Sequence, residues 1–290
     1  MPDLLRRFVF EGSPVRGAIA QLEGTWQAVL ERHAYPPALR QVLGEAMAAC
    51  ALLASTIKLD GALVLQVQGG HPVRLLVVEC TREGTLRATA KWDDPLPEQA
   101  SASELLAGAR CALSLIAADG QTAYQGVVDL RGRDIAQMLG HYLAHSEQID
   151  SELHLACDEH HASGLLLQRL PGRPDADSDR WPRVRELAAT IRAPELPHLP
   201  APELLRRLFH EEDLRLFDPS PLAFRCSCSA SRVAAMLRML GREEVDSVLA
   251  ERGVVEVGCE FCGRQWRFDP IDAARALAAT DAPDGGRSVH

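Results

Sequence analysis

The chain has 290 residues, more than one ordinary domain, and its length suggests about two. Hydrophobic residues make up 47% and charged residues 24%, a globular composition that excludes a disordered or fibrous chain. The net charge of −9 argues against general affinity for nucleic acid or anionic lipid, which shows itself as a basic patch.

At the N-terminus, "MPDLLRRFVFEG" scatters charges among short apolar pieces and has no cleavage-like site. The longest apolar run near it, Ala46 to Ile57, is too short for a membrane span. The expectation is a cytoplasmic protein without membrane association, in a compartment where thiols stay reduced. Its eight cysteines then point to metal, redox chemistry or packing, not to a structural disulfide framework.

In chain order, Ile19, Leu22, Trp26 and Val29 recur at the spacing of one helix face and predict a helix over 16–33. Pro36 and Pro37 suit the start of a second helix that runs toward the Asp60-Gly61 stop signal. Three β-rich runs follow, Ala62 to Gln68, Val73 to Cys80 and Thr85 to Trp92, separated by turn residues. The runs "CALSLIAA" and "TAYQGVVDL" repeat the pattern, a helix is expected over 133–148, and two more strands cover 151–157 and 163–170. Residues 1–170 therefore read as an α+β domain with antiparallel sheet and helices.

Several isolated features in this domain have bland readings. Cys50, Cys80, Cys111 and Cys157 sit singly among apolar neighbours, as core thiols do. The run "CDEHH" reads as a polar turn between strands, the alternative being a metal site through Cys157, His160 and His161. Glu147, in "SEQ", reads as a helix end and not as a catalytic carboxylate.

From residue 171 the composition changes. Polar "PGRPDADSDR" and proline-rich "APELPHLPAP" mark a helical linker over 171–225. It holds two amphipathic stripes: Trp181, Val184, Leu187, Ala188 and Ile191, then Leu204, Leu205, Leu208, Phe209 and Leu216. Each is too short to be stable alone and must dock on something. Arg206, Arg207, His210, Glu211 and Glu212 read as a solvated face.

The last region, 226–272, is predicted to hold two short helices and a hairpin, followed by a tail over 273–290 that is disordered toward its end. Here one residue stands between Cys226 and Cys228, and thirty residues separate this pair from Cys259 and Cys262. Two such pairs can converge on one tetrahedral Zn²⁺. Gly263, next to Cys262, permits the positive φ of a metal knuckle. A structural zinc staple accounts for the second pair. The tighter first pair would form only a strained, easily reduced local disulfide, which suits a switch.

Converting thiolates to disulfides removes the metal and most of what folds so small a region. The upstream stripes would then lose a neighbour and expose apolar surface that binds other proteins. A chain ended near Asp218, or carrying Leu204 and Leu208 as glutamates, should accordingly be active in reductant. A zinc-ribbon nucleic-acid module is the first alternative, but residues 221–270 balance seven arginines against seven acids. A thiol-disulfide oxidoreductase is the second, and should place Cys259 and Cys262 in a thioredoxin-like βαβ unit.

The motifs "YQGVVDL" (124–130), "HYLAHSEQI" (141–149), "GLLLQRLPG" (164–172), "LLRRLFHEEDLRLFDPSPLAFRCSCS" (204–229) and "VEVGCEFCGRQWRFD" (255–269) occur in this order. In these, the chain resembles the redox-regulated 33-kilodalton heat-shock chaperone family. The resemblance implies a cytosolic, ATP-independent holdase of the stress response, not an enzyme. It would be inactive when reduced with one Zn²⁺ on Cys226, Cys228, Cys259 and Cys262. It also implies oxidation to Cys226–Cys228 and Cys259–Cys262 disulfides, zinc release, linker unfolding, homodimerisation and binding of unfolded or oxidatively damaged client proteins. Trp181, Val184, Leu187, Ile191, Leu204, Leu205, Leu208 and Phe209 would supply client-binding apolar surface.

Overall fold

The computed structural model describes residues 2–58, 60–171, 177, 179–192 and 194–278. The chain begins with strand β1 (Leu4–Phe10), strand β2 (Val15–Leu22) and helix α1 (Gly24–Leu30), so the helix expected over 16–33 is replaced by a strand and a short helix. Helix α2 (Pro37–Ala54) starts at its proline, and between Ala38 and Leu53 only Arg40 and Gln41 escape burial. A helix apolar nearly all round must lie inside the domain.

Strands β3 (Gly61–Gln68), β4 (Val73–Thr81) and β5 (Thr85–Trp92) follow, then helix α3 (Ala102–Leu105), capped by Ser101. Strands β6 (Arg110–Ala117) and β7 (Thr122–Val128), helix α4 (Ile135–His145), and strands β8 (Asp150–Cys157) and β9 (Ala162–Arg169) come next. Helices α5 (Arg180–Ala189), α6 (Glu195–His198) and α7 (Ala201–Phe209) precede three short strands, β10 (Leu214–Leu216), β11 (Ser220–Pro221) and β12 (Ala223–Phe224).

These strands build two sheets. One has the order β10-β1-β2-β9-β8, with β11 also paired to β1; the other runs β12-β5-β4-β3-β6-β7, antiparallel except where β12 joins β5. Residues of α2 share one core with Ala18, Ala20 and Leu166 of the first sheet and with Leu63, Leu65, Leu76 and Val78 of the second.

The central strands of the first sheet, β2 and β9, are buried on both faces. Ala18, Ala20 and Leu22 of β2 face the α2 side, while Val15 and Ile19 face a second core formed with α5, α6 and α7. This two-sided burial explains the misread helix. A strand covered on one face alternates apolar with polar, whereas one covered on both reads as a continuous apolar run that mimics other periods.

The chain after α7 belongs to these sheets. Leu216, grouped with the second amphipathic stripe by its spacing, lies instead in β10 opposite Phe8 and is exposed. Leu222 is buried in the α2 core, and Phe224 lies under the Arg32 guanidinium at 4.1 Å. Ending the chain near Asp218 would strip β11, β12 and Leu222 from the domain. The cut that spares them falls after Arg225, where the chain divides into two compact units, Met1–Arg225 and Cys226–His290.

The second unit contains helix α8 (Ala230–Leu240), helix α9 (Arg242–Arg252), the hairpin of β13 (Val255–Gly258) and β14 (Gln265–Phe268), and helix α10 (Pro270–Ala278). Its core is small: Val233, Leu237, Val245, Val255, Phe268, Ala273 and Ala276. Helix α10 thus continues past residue 272, and the stretch 279–290, where a disordered tail is expected, lies outside the described residues.

Candidate functional site

Cys226 and Cys228 occupy an irregular segment just before α8, whose N-cap, Ser229, accepts a hydrogen bond from the Arg232 amide at 3.2 Å. Cys259 and Cys262 occupy the tip of the β13–β14 hairpin. There the Cys259 amide donates to the Arg264 carbonyl at 2.9 Å, and the Gly263 amide donates to the Cys259 carbonyl at 2.8 Å. Gly263 has φ +70°, the left-handed conformation that the knuckle turn requires and that a residue with a Cβ adopts at a cost.

The four sulfurs converge. Cys226 Sγ lies 3.6 Å from Cys259 Sγ, Cys228 Sγ lies 3.4 Å from Cys262 Sγ, and all four lie within 4.8 Å of one another. Tetrahedral Zn²⁺ with bonds of about 2.3 Å holds its sulfurs about 3.8 Å apart, so spacing and donor set both fit a thiolate-loving ion. The cluster can hold a metal ion.

Its protons are shared unevenly. Burial opposes ionisation of Cys226, but the Cys228 amide and the neighbouring thiols outweigh it and bring Cys226 down to about 7. Burial, then hydrogen bonds that the Cys228 thiol donates to the neighbouring sulfurs, push Cys228 up to about 12. Once one thiolate forms, its negative charge resists the next, and a cation between the sulfurs removes that repulsion.

The other four cysteines differ in kind. Burial pushes the thiols of Cys80 and Cys111 up to about 12, and raises those of Cys50 and Cys157 as well. They pack as the sequence predicts for core thiols. Glu147 accepts hydrogen bonds from the Tyr124 hydroxyl at 2.7 Å and from Tyr142, which fixes it as a structural partner at the end of α4.

The amphipathic stripes of the linker also have an observed place. Trp181, Val184, Leu204, Leu205, Leu208 and Phe209 are buried against Phe8, Phe10, Val15, Ile19, Leu165 and Leu167, with Leu187 and Ile191 packed partly buried beside them. Phe209 meets Phe10 edge-on at 5.3 Å. Gly17 lies beneath Phe8, whose ring stands 2.2 Å from where a Cβ would be, so any larger residue there would displace the floor of this core.

Polar clamps hold the same helices. The Gln21 side-chain amide donates to the carbonyls of Leu196 at 3.2 Å and Leu199 at 2.8 Å, and Arg180 donates to the Glu11 carbonyl at 3.0 Å. Glu212, expected on the solvated face, is instead nearly buried and receives Arg183 at 2.7 Å, tying the end of α7 to α5. Sequence reasoning showed that the stripes must dock but missed their receptor. The signal was there in β2 and β9, which carry apolar residues at both alternating sets of positions, Val15 and Ile19 against Ala18 and Ala20, and Leu165 and Leu167 against Leu166.

A two-sheet α+β unit with an amphipathic helical cover, followed in the chain by a small unit built around a four-cysteine cluster, defines the class. The family model described as Hsp33 protein matches residues 3–269. The chain belongs to the Hsp33 family. It is 49% identical over 290 residues to the 33 kDa chaperonin of Methylobacillus flagellatus, covering 99% of this chain and 98% of that one. It is 46% identical over 272 residues to the 33 kDa chaperonin of Chromobacterium violaceum, covering 93% and 92%. The crystal structure of the 33 kDa chaperonin of Thermotoga maritima shares the fold, with a TM-score of 0.83 at 20% identity over 96% of this chain and 98% of that one.

Proposed function

We propose that this Hsp33-family chaperone is a redox-switched, ATP-independent holdase whose reduced form keeps its client-binding surface covered. The observation that carries the reading is the burial of Trp181, Val184, Leu204, Leu205, Leu208 and Phe209 on the outer face of the first sheet. Helices of ten, four and nine residues are not stable alone, so releasing them exposes a large apolar surface on both partners. In this reading residues 1–170 are the core, 171–225 the conditional linker, and the region from Cys226 the switch.

Cys226, Cys228, Cys259 and Cys262 would hold one Zn²⁺, which when bound cross-links the segment before α8 to the hairpin and neutralises thiolate charge. A peroxide oxidises two thiols at a time: one S–S bond forms, the peroxide O–O bond breaks, and the two thiol protons leave in two waters. By family likeness the pairs are Cys226–Cys228 and Cys259–Cys262. Sulfurs joined in this way offer no thiolates to a metal, and the seven-residue core of the second unit is too small to rely on alone.

Only Arg225 separates Cys226 from β12, so disorder starting at the cluster would reach this edge strand of the second sheet. The oxidised form would dimerise and hold unfolded or oxidatively damaged proteins in the cytoplasm during stress. It would act without enzymatic turnover and without nucleic-acid or membrane association. Among the described residues no helix is long and apolar enough to cross a membrane. Cys259 and Cys262 lie on a β-hairpin and not in a βαβ unit, which disfavours the oxidoreductase reading.

The test is suppression of a heat-denatured client's aggregation. Full-length protein should suppress it after peroxide and not in strong reductant, while a chain ended after Arg225 should suppress it in reductant. Elemental analysis should find one tightly held zinc per reduced chain, and that equivalent should be lost when all four cysteines become serine. A folded Arg225-ended chain that fails to hold clients would overturn the restraint reading, leaving the cluster as a structural staple.

A further inference from the structure

A second group of metal-binding side chains forms where the β8–β9 turn meets α6. Asp158 Oδ1 lies 3.3 Å from His161 Nδ1, and Asp158 Oδ2 lies 3.0 Å from His198 Nε2. The two imidazoles meet edge-on at 4.9 Å, and one ligand atom from each of the three residues lies within 4.8 Å of the others. Donors bonded to Zn²⁺ at about 2.0–2.1 Å stand about 3.3 Å apart in a tetrahedron, so three ligand atoms within 4.8 Å of one another need close only a little to share one ion.

Both halves of this site are held before any ion arrives. In the turn, Asp158 Oδ1 accepts from the backbone amides of His160 and His161 at 2.7 Å each, and the Asp158 amide donates to the His161 carbonyl at 2.9 Å. Trp26 Nε1 donates to the Asp158 carbonyl at 3.1 Å, and Gln27 donates to the Glu159 carbonyl at 2.8 Å, fixing the turn to α1. On the other side, Leu196 is buried and Gln21 holds the Leu196 and Leu199 carbonyls, which sets the position of His198.

The donor set differs from the one the sequence suggested. Cys157 turns inward, its Sγ 3.8 Å from the Arg40 carbonyl and against Gly44, where an added Cβ would come within 2.3 Å of it. His160 is exposed, and its ring centre stands 6.3 Å from that of His161. The third ligand comes instead from the linker, 37 residues beyond His161.

We propose that Asp158, His161 and His198 form a second site, for a divalent transition metal of the zinc or nickel type, that pins α6 to the β8–β9 turn. Two imidazoles and one carboxylate suit such ions, whereas calcium and magnesium call for oxygen donors. Three protein ligands leave one position for water. The site contains no thiol, so peroxide that oxidises the cysteine cluster leaves its donors intact. Metal bound there opposes detachment of α6, making metal level a control on the linker that is separate from oxidation. Binding itself stands whether or not linker release is the switch.

The probe is Zn²⁺ added to reduced full-length protein that already carries one equivalent. Calorimetric titration should find a second equivalent. His161→Gln and His198→Gln should each weaken it by at least about tenfold, and His160→Gln should leave it in place. Amide exchange over 195–199 should slow with the added zinc in the parent and not in His198→Gln. His198 is half exposed, so its replacement should keep the fold, which circular dichroism checks. No second equivalent even at millimolar zinc would overturn the proposal. So would a second equivalent unchanged in both histidine variants, and Asp158 would then be only a hydrogen-bonding bridge between two imidazoles.

Discussion

Glu45 is a carboxyl inside the buried helix α2, with Gln41 donating to it at 3.2 Å. Burial raises its pKa from 4.5 to about 7 against the opposing Gln41 hydrogen bond, with the charge of Asp134 adding a smaller push in the same direction. The folded state therefore keeps a proton that the unfolded state has lost between those values, so stability falls as pH rises from about 4.5 to about 7. Glu45→Gln removes this loss. Urea unfolding should find the variant equal to the parent at pH 4 and more stable at pH 8 by on the order of 2–3 kcal/mol. A difference that does not change with pH would mean that Glu45 is already charged in the fold. The buried thiols follow the same logic: desolvation keeps Cys50, Cys80, Cys111 and Cys157 protonated, so a thiol-alkylating reagent at neutral pH should label metal-free Cys226, brought down to about 7, ahead of them.

Among the elements, α7 has its apolar residues on one side, Leu204, Leu205, Leu208 and Phe209 all buried, and Arg206 and Arg207 on the other. Truncating Leu208 to alanine should weaken docking by about 2–5 kcal/mol. Leu204→Glu with Leu208→Glu should abolish docking, because two carboxylates cannot enter an apolar core without a partner. The double variant should suppress client aggregation in strong reductant with its zinc still bound, and inactivity in a folded variant would count against the linker as the cover. Strands β3 to β5 were legible because turns holding glycine and proline punctuate them and their faces differ, and β8 and β9 because a polar turn divides them. Strand β2 was not, since helices cover one face and α2 the other. The four cysteines were legible because metal ligation imposes spacing. His198 was not, because no local pattern links it to a turn that only the fold brings near.

At the scale of the whole molecule, the chain joins a large compact unit, built on two sheets around α2, to a small one with a seven-residue core and a thiol cluster. The three linker helices carry little stability of their own and depend on contacts made elsewhere, placing them at the low end of local stability. The central claim is that oxidising Cys226, Cys228, Cys259 and Cys262 uncovers the outer face of the first sheet. Amide hydrogen exchange, read peptide by peptide in reduced and peroxide-treated full-length protein, tests it most directly. Residues 180–209 and the region from Cys226 should lose protection on oxidation while β3 to β7 keep theirs. Equal protection of residues 180–209 in the two redox states would contradict the account.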